Sequence, residues 1–215
     1  MGEYIIKVNN AFKKFKETTA LNNVSIDFEK GKIHGIIGRN GSGKTVLFKC
    51  ICGFMSLTSG EITVREKKVN LNKMLDNVGI IINEPGFLPS MSGFKNLKLL
   101  AMVHRKINDE QIRNTIKMVG LDPASKKHVG KYSMGMRQRL GIAQAIMEQP
   151  DILILDEPMN GLDKHGVEDM RNLFLKLKND GVTILLASHN SEDIKLLCDT
   201  VCEMDGGILT QLKTV

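Results

Sequence analysis

The sequence predicts an α/β fold: a mainly parallel sheet flanked by helices, with an antiparallel β subdomain at the N-terminus and an inserted α-helical lobe. Three patterns carry this expectation. Residues 33–37, 78–82, 152–155 and 182–187 are short runs, apolar at nearly every position and bounded by turn residues. Such runs suit strands covered on both faces, as in a parallel sheet. Helical patterns lie between them, at 46–52 and at 167–177, where Leu173 and Leu177 share a face. From about Pro89 to Met147 the chain reads as helical segments with no convincing strand.

Taken in order, Ile5 and Val8, then Val24, Ile26 and Phe28, alternate as in antiparallel strands, and 61–64 does the same. The strand–helix alternation that follows implies right-handed crossovers. In the middle, Gly93, Gly120, Pro123 and Gly130 punctuate the helices. Asn108-Asp109-Glu110 predicts a helix start with an acidic first turn that suits the helix dipole. Near the end, 201–204, Asp205-Gly206-Gly207 and Ile208-Leu209 read as a hairpin turning on glycines. The expected organisation is a single domain over 1–215, with an α/β core of 1–86 and 148–215 and a helical lobe over 87–147.

Hydrophobic residues make up 42% of the 215 positions and charged residues 25%, a balance that allows a proper core. No apolar stretch approaches the roughly 18 residues of a membrane span, and Met1 to Ile6 lacks the pattern of a secretory signal. A cytosolic protein is expected. The net charge of +6 comes from 30 basic residues dispersed among 24 acids, and aromatics are only 5%. Without a basic run or base-stacking platforms, nucleic acid is not an expected partner. Cys50, Cys52, Cys198 and Cys202 have neither redox-pair nor zinc spacing, so buried reduced thiols are expected.

Gly-x-x-x-x-Gly-Lys-Thr occupies residues 38–45, directly after a predicted strand and before a predicted helix. That context makes it a phosphate-binding loop and the core a P-loop NTPase core. Gly38, Gly41 and Gly43 let backbone N–H groups approach phosphate oxygens with no Cβ in the way. The helix adds its positive N-terminal end. Lys44 offers a point charge to the β- and γ-phosphates and Thr45 a hydroxyl to Mg²⁺. Asn40, Ser42 and Val46 complete the grip. Val46 offers its backbone N–H to the α-phosphate.

A triphosphate grip also needs a metal carboxylate and a group that activates water. Ile152-Leu153-Ile154-Leu155-Asp156-Glu157-Pro158 supplies both at the C-terminal end of a strand, where open α/β sheets bind ligands. Asp156 is expected to hold Mg²⁺ through water, and Glu157 to orient or deprotonate the attacking water.

Four further features follow in order: Phe15; Tyr132-Ser133-Met134-Gly135-Met136-Arg137-Gln138-Arg139; Asn160-Gly161-Leu162-Asp163 after the acidic pair; and Ser188-His189. With the loop and acidic pair they resemble the ATP-binding cassette (ABC) family along the whole chain. The resemblance implies that Phe15 stacks on adenine, that Ser133 and Gly135 close over ATP bound to a partner subunit, and that His189 contacts the γ-phosphate. Asp163 would link the two sites across the dimer. The usual Leu-Ser-Gly-Gly-Gln signature runs Tyr-Ser-Met-Gly-Met here. That form, with the segment from Val78 to Pro89, is similar to bacitracin and lantibiotic self-resistance exporters. The metal-sensing Gln of the family aligns with Asn83, a shorter arm, and Glu84 is the alternative.

The resemblance implies cofactors ATP and Mg²⁺, and a second ABC subunit, identical or not, packed head to tail. It also implies an integral membrane permease that would hold the chain at the inner face of the membrane. A soluble ABC ATPase serving an assembly complex and a non-hydrolysing regulatory subunit remain as alternatives.

Overall fold

A computed structural model describes residues 2–71, 75–104 and 106–212. Two sheets organise these residues. The first is antiparallel, with strands β1 (Tyr4–Phe15), β2 (Thr18–Glu29), β4 (Ser59–Val64) and β5 (Lys67–Lys68) in the order β2-β1-β4-β5. The second contains β3 (Ile33–Ile37), β6 (Val78–Ile81), β7 (Ile152–Asp156), β8 (Thr183–Ala187), β9 (Thr200–Asp205) and β10 (Ile208–Leu212), ordered β10-β9-β3-β8-β7-β6. Every pairing from β9 to β6 is parallel, and β10 closes the edge antiparallel to β9. The helices are α1 (Lys44–Ile51), α2 (Gly93–His104), α3 (Asp109–Met118), α4 (Met134–Ile146), α5 (Lys164–Asn179) and α6 (Ser191–Leu197).

The continuously apolar strands are apolar because both faces are covered. On β7, Ile152 and Ile154 join a core shared with the antiparallel sheet and with Leu47, Phe48 and Ile51 of α1. Leu153 and Leu155 point to the other face and pack with Leu97, Ile112, Ile116, Leu140, Ile142 and Phe174 from the helices. Ile184 and Leu186 on β8 join that second core, while Leu185 and Ala187 join the first. Period-2 geometry divides one run of side chains between two cores.

The predicted strands all form; in the main sheet their ends shift by at most three residues, while β1 and β2 run well beyond the predicted alternation, to Phe15 and back to Thr18. Asn108 begins α3 as expected: its Oδ1 accepts from Gln111 N–H and Gln111 Oε1 accepts from Asn108 N–H, each at 2.9 Å. The C-terminal hairpin turns on Gly206 and Gly207, both in the left-handed region. The sequence reading missed two features. Helix α6 is short and polar on its outer side, and β9 also pairs in parallel with β3, placing the hairpin inside the main sheet. A parallel partner over 160 residues away leaves no local trace in a strand's sequence. Between β6 and β7 the described residues hold three helices and one 3-10 turn at Val129–Lys131, but no strand.

The strand order decides where the chemistry sits. Strand β8 is central, with β3 on one side and β7 on the other, and all three end on the same edge. The phosphate loop after β3, Ser188-His189 after β8 and Asp156-Glu157 on β7 therefore converge, although up to 150 residues separate them.

Candidate active site

The loop after β3 enters α1 at Gly43, which adopts φ 117°. A Cβ there would stand 2.5 Å from the Ala20 carbonyl oxygen, so any larger residue is excluded by backbone as well as by φ. No side chain caps α1, which leaves its first N–H groups aimed into open space. Gly41, at φ 82°, has nothing within 4 Å of where its Cβ would be, so its outer side is free for a ligand. Lys44 is buried, and its Nζ donates to the carbonyls of Gly38 at 2.7 Å and Arg39 at 3.1 Å. These bonds hold the ammonium against the loop. The buried Ser42 hydroxyl has no hydrogen-bond partner among the described residues. An orphaned buried hydroxyl beside an uncapped helix N-terminus fits an anion that brings its own oxygens.

Across the sheet edge, Thr45 Oγ1 donates to Asp156 Oδ2 at 2.5 Å, joining α1 to β7. Glu157, the next residue, takes φ 51°, a conformation unfavourable for a residue with a Cβ. Its N–H donates to the Ala187 carbonyl at 2.9 Å, which turns its side chain away from the strand direction. His189 Nδ1 lies 2.8 Å from Glu157 Oε2. Nδ1 donates to this carboxylate, and Nε2 remains for another partner. The Glu157 side chain is about one-fifth exposed and the His189 ring about two-thirds exposed. Glu157 thus borders a space that a ligand can reach, with His189 bonded to it.

These groups line a cleft of about 470 Å³. Asn40, Gly41, Ser42, Gly43, Lys44, Thr45, Val46, Asn83, Asp156 and Glu157 all border it, ten of the expected positions in one space. Asn83 adopts φ 64°, which Asn tolerates better than most residues, and Glu84 beside it borders the cleft too. Both remain available for the metal-sensing position.

The other expected residues stand apart. Gly38 packs under the loop against Met204, where a Cβ would be 2.2 Å from the carbonyl oxygen. His189 touches the site through Glu157. Phe15 is exposed at the β1–β2 turn, with Lys13 Nζ 5.0 Å from its ring centroid. Ser133 caps α4, its Oγ accepting from Met136 N–H at 3.2 Å. Neither Ser133 nor Gly135 borders the cleft of its own chain. Asp163 caps α5 by accepting from Gly166 N–H at 2.8 Å.

Ala20, Met134, Gln138 and Asn160 also border the cleft and had no expected role there. Met134 and Gln138 are spaced i, i+4, which places them on one face of α4. That much was readable in advance; which loop the face would meet was not.

Thr45 and Asp156 suit a small hard cation: a hydroxyl and a carboxylate side by side at the end of a phosphate-binding loop. Among the described residues no group of three or more His, Cys, Asp or Glu could hold a metal alone. A cation here would share its remaining ligands with phosphate and water, as Mg²⁺ does at nucleotides.

Residues 21–160 match the family model described as ABC transporter. An uncharacterised ABC transporter ATP-binding protein of Bacillus subtilis, YybJ, is 44% identical over 206 residues, covering 95% of this chain and 94% of that protein. The bacitracin transport ATP-binding protein BcrA of Enterococcus faecalis is 38% identical over 212 residues, covering 97% of this chain and 69% of that protein. The dimeric structure of MJ0796, a bacterial ABC transporter cassette, has the same fold. It superposes with a TM-score of 0.88 at 23% identity and covers 98% of this chain and 100% of that one.

Proposed function

Because the chain belongs to the ABC transporter family of ATP-binding, ATP-hydrolysing subunits, we propose that it works as one half of an ATP-driven clamp on a membrane exporter of peptide antibiotic or another amphipathic compound. The observation that carries this reading is the convergence of Lys44, Thr45, Asp156 and Glu157 on one cleft, with His189 bonded to Glu157. Its composition supports a triphosphate: free N–H groups and a helix N-terminus for phosphate oxygens, Lys44 for their charge, and the unpartnered Ser42 hydroxyl.

In this reading Mg²⁺ is held by Thr45 and Asp156 with Asn83 or Glu84 nearby, and when bound it neutralises charge on the transferred phosphoryl group. Glu157 orients the attacking water and takes up its proton. His189, which bonds Glu157, keeps that carboxylate turned towards the cleft, and would donate to the γ-phosphate through an Nε2–H, both ring nitrogens then carrying protons. Phe15, exposed at the β1–β2 turn, would stack on adenine.

Ser133 and Gly135 do not border their own cleft, and this supports a partner for them: the ATP of a second subunit facing head to tail. An N-cap hydroxyl and a Gly N–H at the start of α4 form a ready anion clamp. ATP would then join the two subunits, and hydrolysis would release them. No helix among the described residues is long and apolar enough to cross a membrane, so transport in this reading depends on a permease. Leu99, Leu100, Met102 and Val103 expose an apolar surface on α2, close in sequence to the Asn83 segment, which supports docking of the permease there. Residues 87–147 would move as a lobe between core and permease. The bacitracin transport relative supports a peptide antibiotic as cargo.

Glu157→Gln tests the clamp. It should slow phosphate release by about 10²-fold or more, within the range for loss of general-base catalysis. On gel filtration the variant should run as a dimer with ATP and as a monomer without it. A monomer at saturating ATP would overturn the clamp.

A further inference from the structure

We propose that Gln138 is a positioning residue for Glu157; this rests on the reading above, in which Glu157 activates water. Glu157 and the residues after it form a tight, strained turn. Glu157 is left-handed, its carbonyl accepts from Asn160 N–H at 3.2 Å, and Pro158 and Met159 are buried. A buried carbonyl in such a turn needs a donor. Gln138 supplies it: Nε2 donates to the Pro158 carbonyl at 2.8 Å and, more weakly, to the Glu157 carbonyl at 3.4 Å.

The same face of α4 grips the turn a second time. The Met134 side chain lies over Gly161, where an added Cβ would stand 2.6 Å from Met134 Cγ. Gly161 is itself left-handed at φ 77°. Met134 and Gln138, one helical turn apart, therefore bracket the segment 157–161 from its start to its end. A strained conformation persists only where its surroundings over-determine it, and here α4 supplies much of that constraint.

The consequence lies in what else α4 carries. Its N-terminus holds Ser133 and Gly135, which serve the partner subunit's ATP, while Gln138 five residues later holds the backbone beneath Glu157.

The test compares Gln138→Met, Glu157→Gln and the double variant. Phosphate release is measured at saturating ATP, and affinity with a fluorescent ATP analogue. Gln138→Met should leave affinity within about twofold and lower kcat by about tenfold, the size of one lost positioning contact. In the Glu157→Gln background it should cause no further loss, because it acts through the missing base. Unchanged kcat, or the same tenfold loss in both backgrounds, would overturn the role of Gln138. A wild-type rate for Glu157→Gln would instead overturn the premise about Glu157. If thermal melting shows that Gln138→Met is unfolded, Gln138→Glu keeps the length but turns an acceptor towards two carbonyls. It should show the same loss of kcat with unchanged affinity, and wild-type kcat would overturn the proposal.

Discussion

Lys44 and His34 are two buried basic side chains with different partners. Lys44 is buried, yet its ammonium is held by two loop carbonyls and faces a cleft that in the proposed reading receives phosphate. Lys44→Ala removes that charge where nothing else replaces it. The loss of charge-assisted bonds, about 1.5–3 kcal/mol each, should weaken ATP affinity by about 10-fold to 150-fold, measured by equilibrium titration. His34 sits on β3 with Nε2 donating to the Glu29 carbonyl at 2.8 Å and Nδ1 accepting from Thr200 Oγ1 at 2.7 Å. In the neutral ring both nitrogens are satisfied. Burial pushes its pKa below 6.5, outweighing the upward pull of the Glu29 carbonyl and Asp199. Above that pH the folded and unfolded chains both hold a neutral ring, and stability from this residue is complete. As pH falls through 6.5 the unfolded chain binds the proton first, so stability drops, by at most about 1.4 kcal/mol per pH unit. Urea unfolding between pH 7 and 5 should show this slope, and His34→Gln should flatten it. Burial also lifts the four cysteine thiols, to about 11 for Cys50 and Cys202 and about 12 for Cys52 and Cys198. They are unpaired buried thiols, as their spacing suggested.

Among the elements, α3 and α4 begin with different kinds of cap. The reciprocal Asn108–Gln111 box satisfies two backbone donors within α3 and touches no part of the cleft. Asn108→Ala should therefore cost about 1 kcal/mol of stability. Thermal melting should register it as a fall of roughly 2–4 °C, with ATP turnover unchanged. The Ser133 cap at α4 is exposed, so the same hydroxyl that ends the helix remains reachable by a ligand. One cap is a stability device, and the other is positioned to be shared. The sequence signalled both starts through a polar residue ahead of a helical pattern. It could not separate them, because exposure is a property of the assembled surface.

At the scale of the whole molecule, two sheets clasp α1 while the helices between β6 and β7 cover the opposite face of the main sheet. The apolar surface of α2 is left outside this arrangement, and Val103 is 73% exposed. Burial against a membrane partner would remove that surface from water. A tagged chain recovered from detergent-solubilised membranes of its native host should bring down a polytopic membrane protein. Leu99→Asp with Met102→Lys should abolish this while leaving ATP affinity within about twofold. Recovery of a soluble complex in place of a membrane protein would overturn the transport reading.

The sequence by itself determined the fold class, the strands of the main sheet and the positions of the phosphate loop and acidic pair. Each of these is written in local pattern: apolar runs of strand length, glycines at fixed offsets and a lysine at a helix start. Only the tertiary structure decided which of those pieces meet. The bond from Thr45 to Asp156, the contact of Glu157 with His189, the seat of Gln138 beneath Pro158 and the exclusion of Ser133 from its own cleft all depend on strand order and helix packing. Those are set by how two cores share the same strands, a balance of long-range burial that no short window of residues contains.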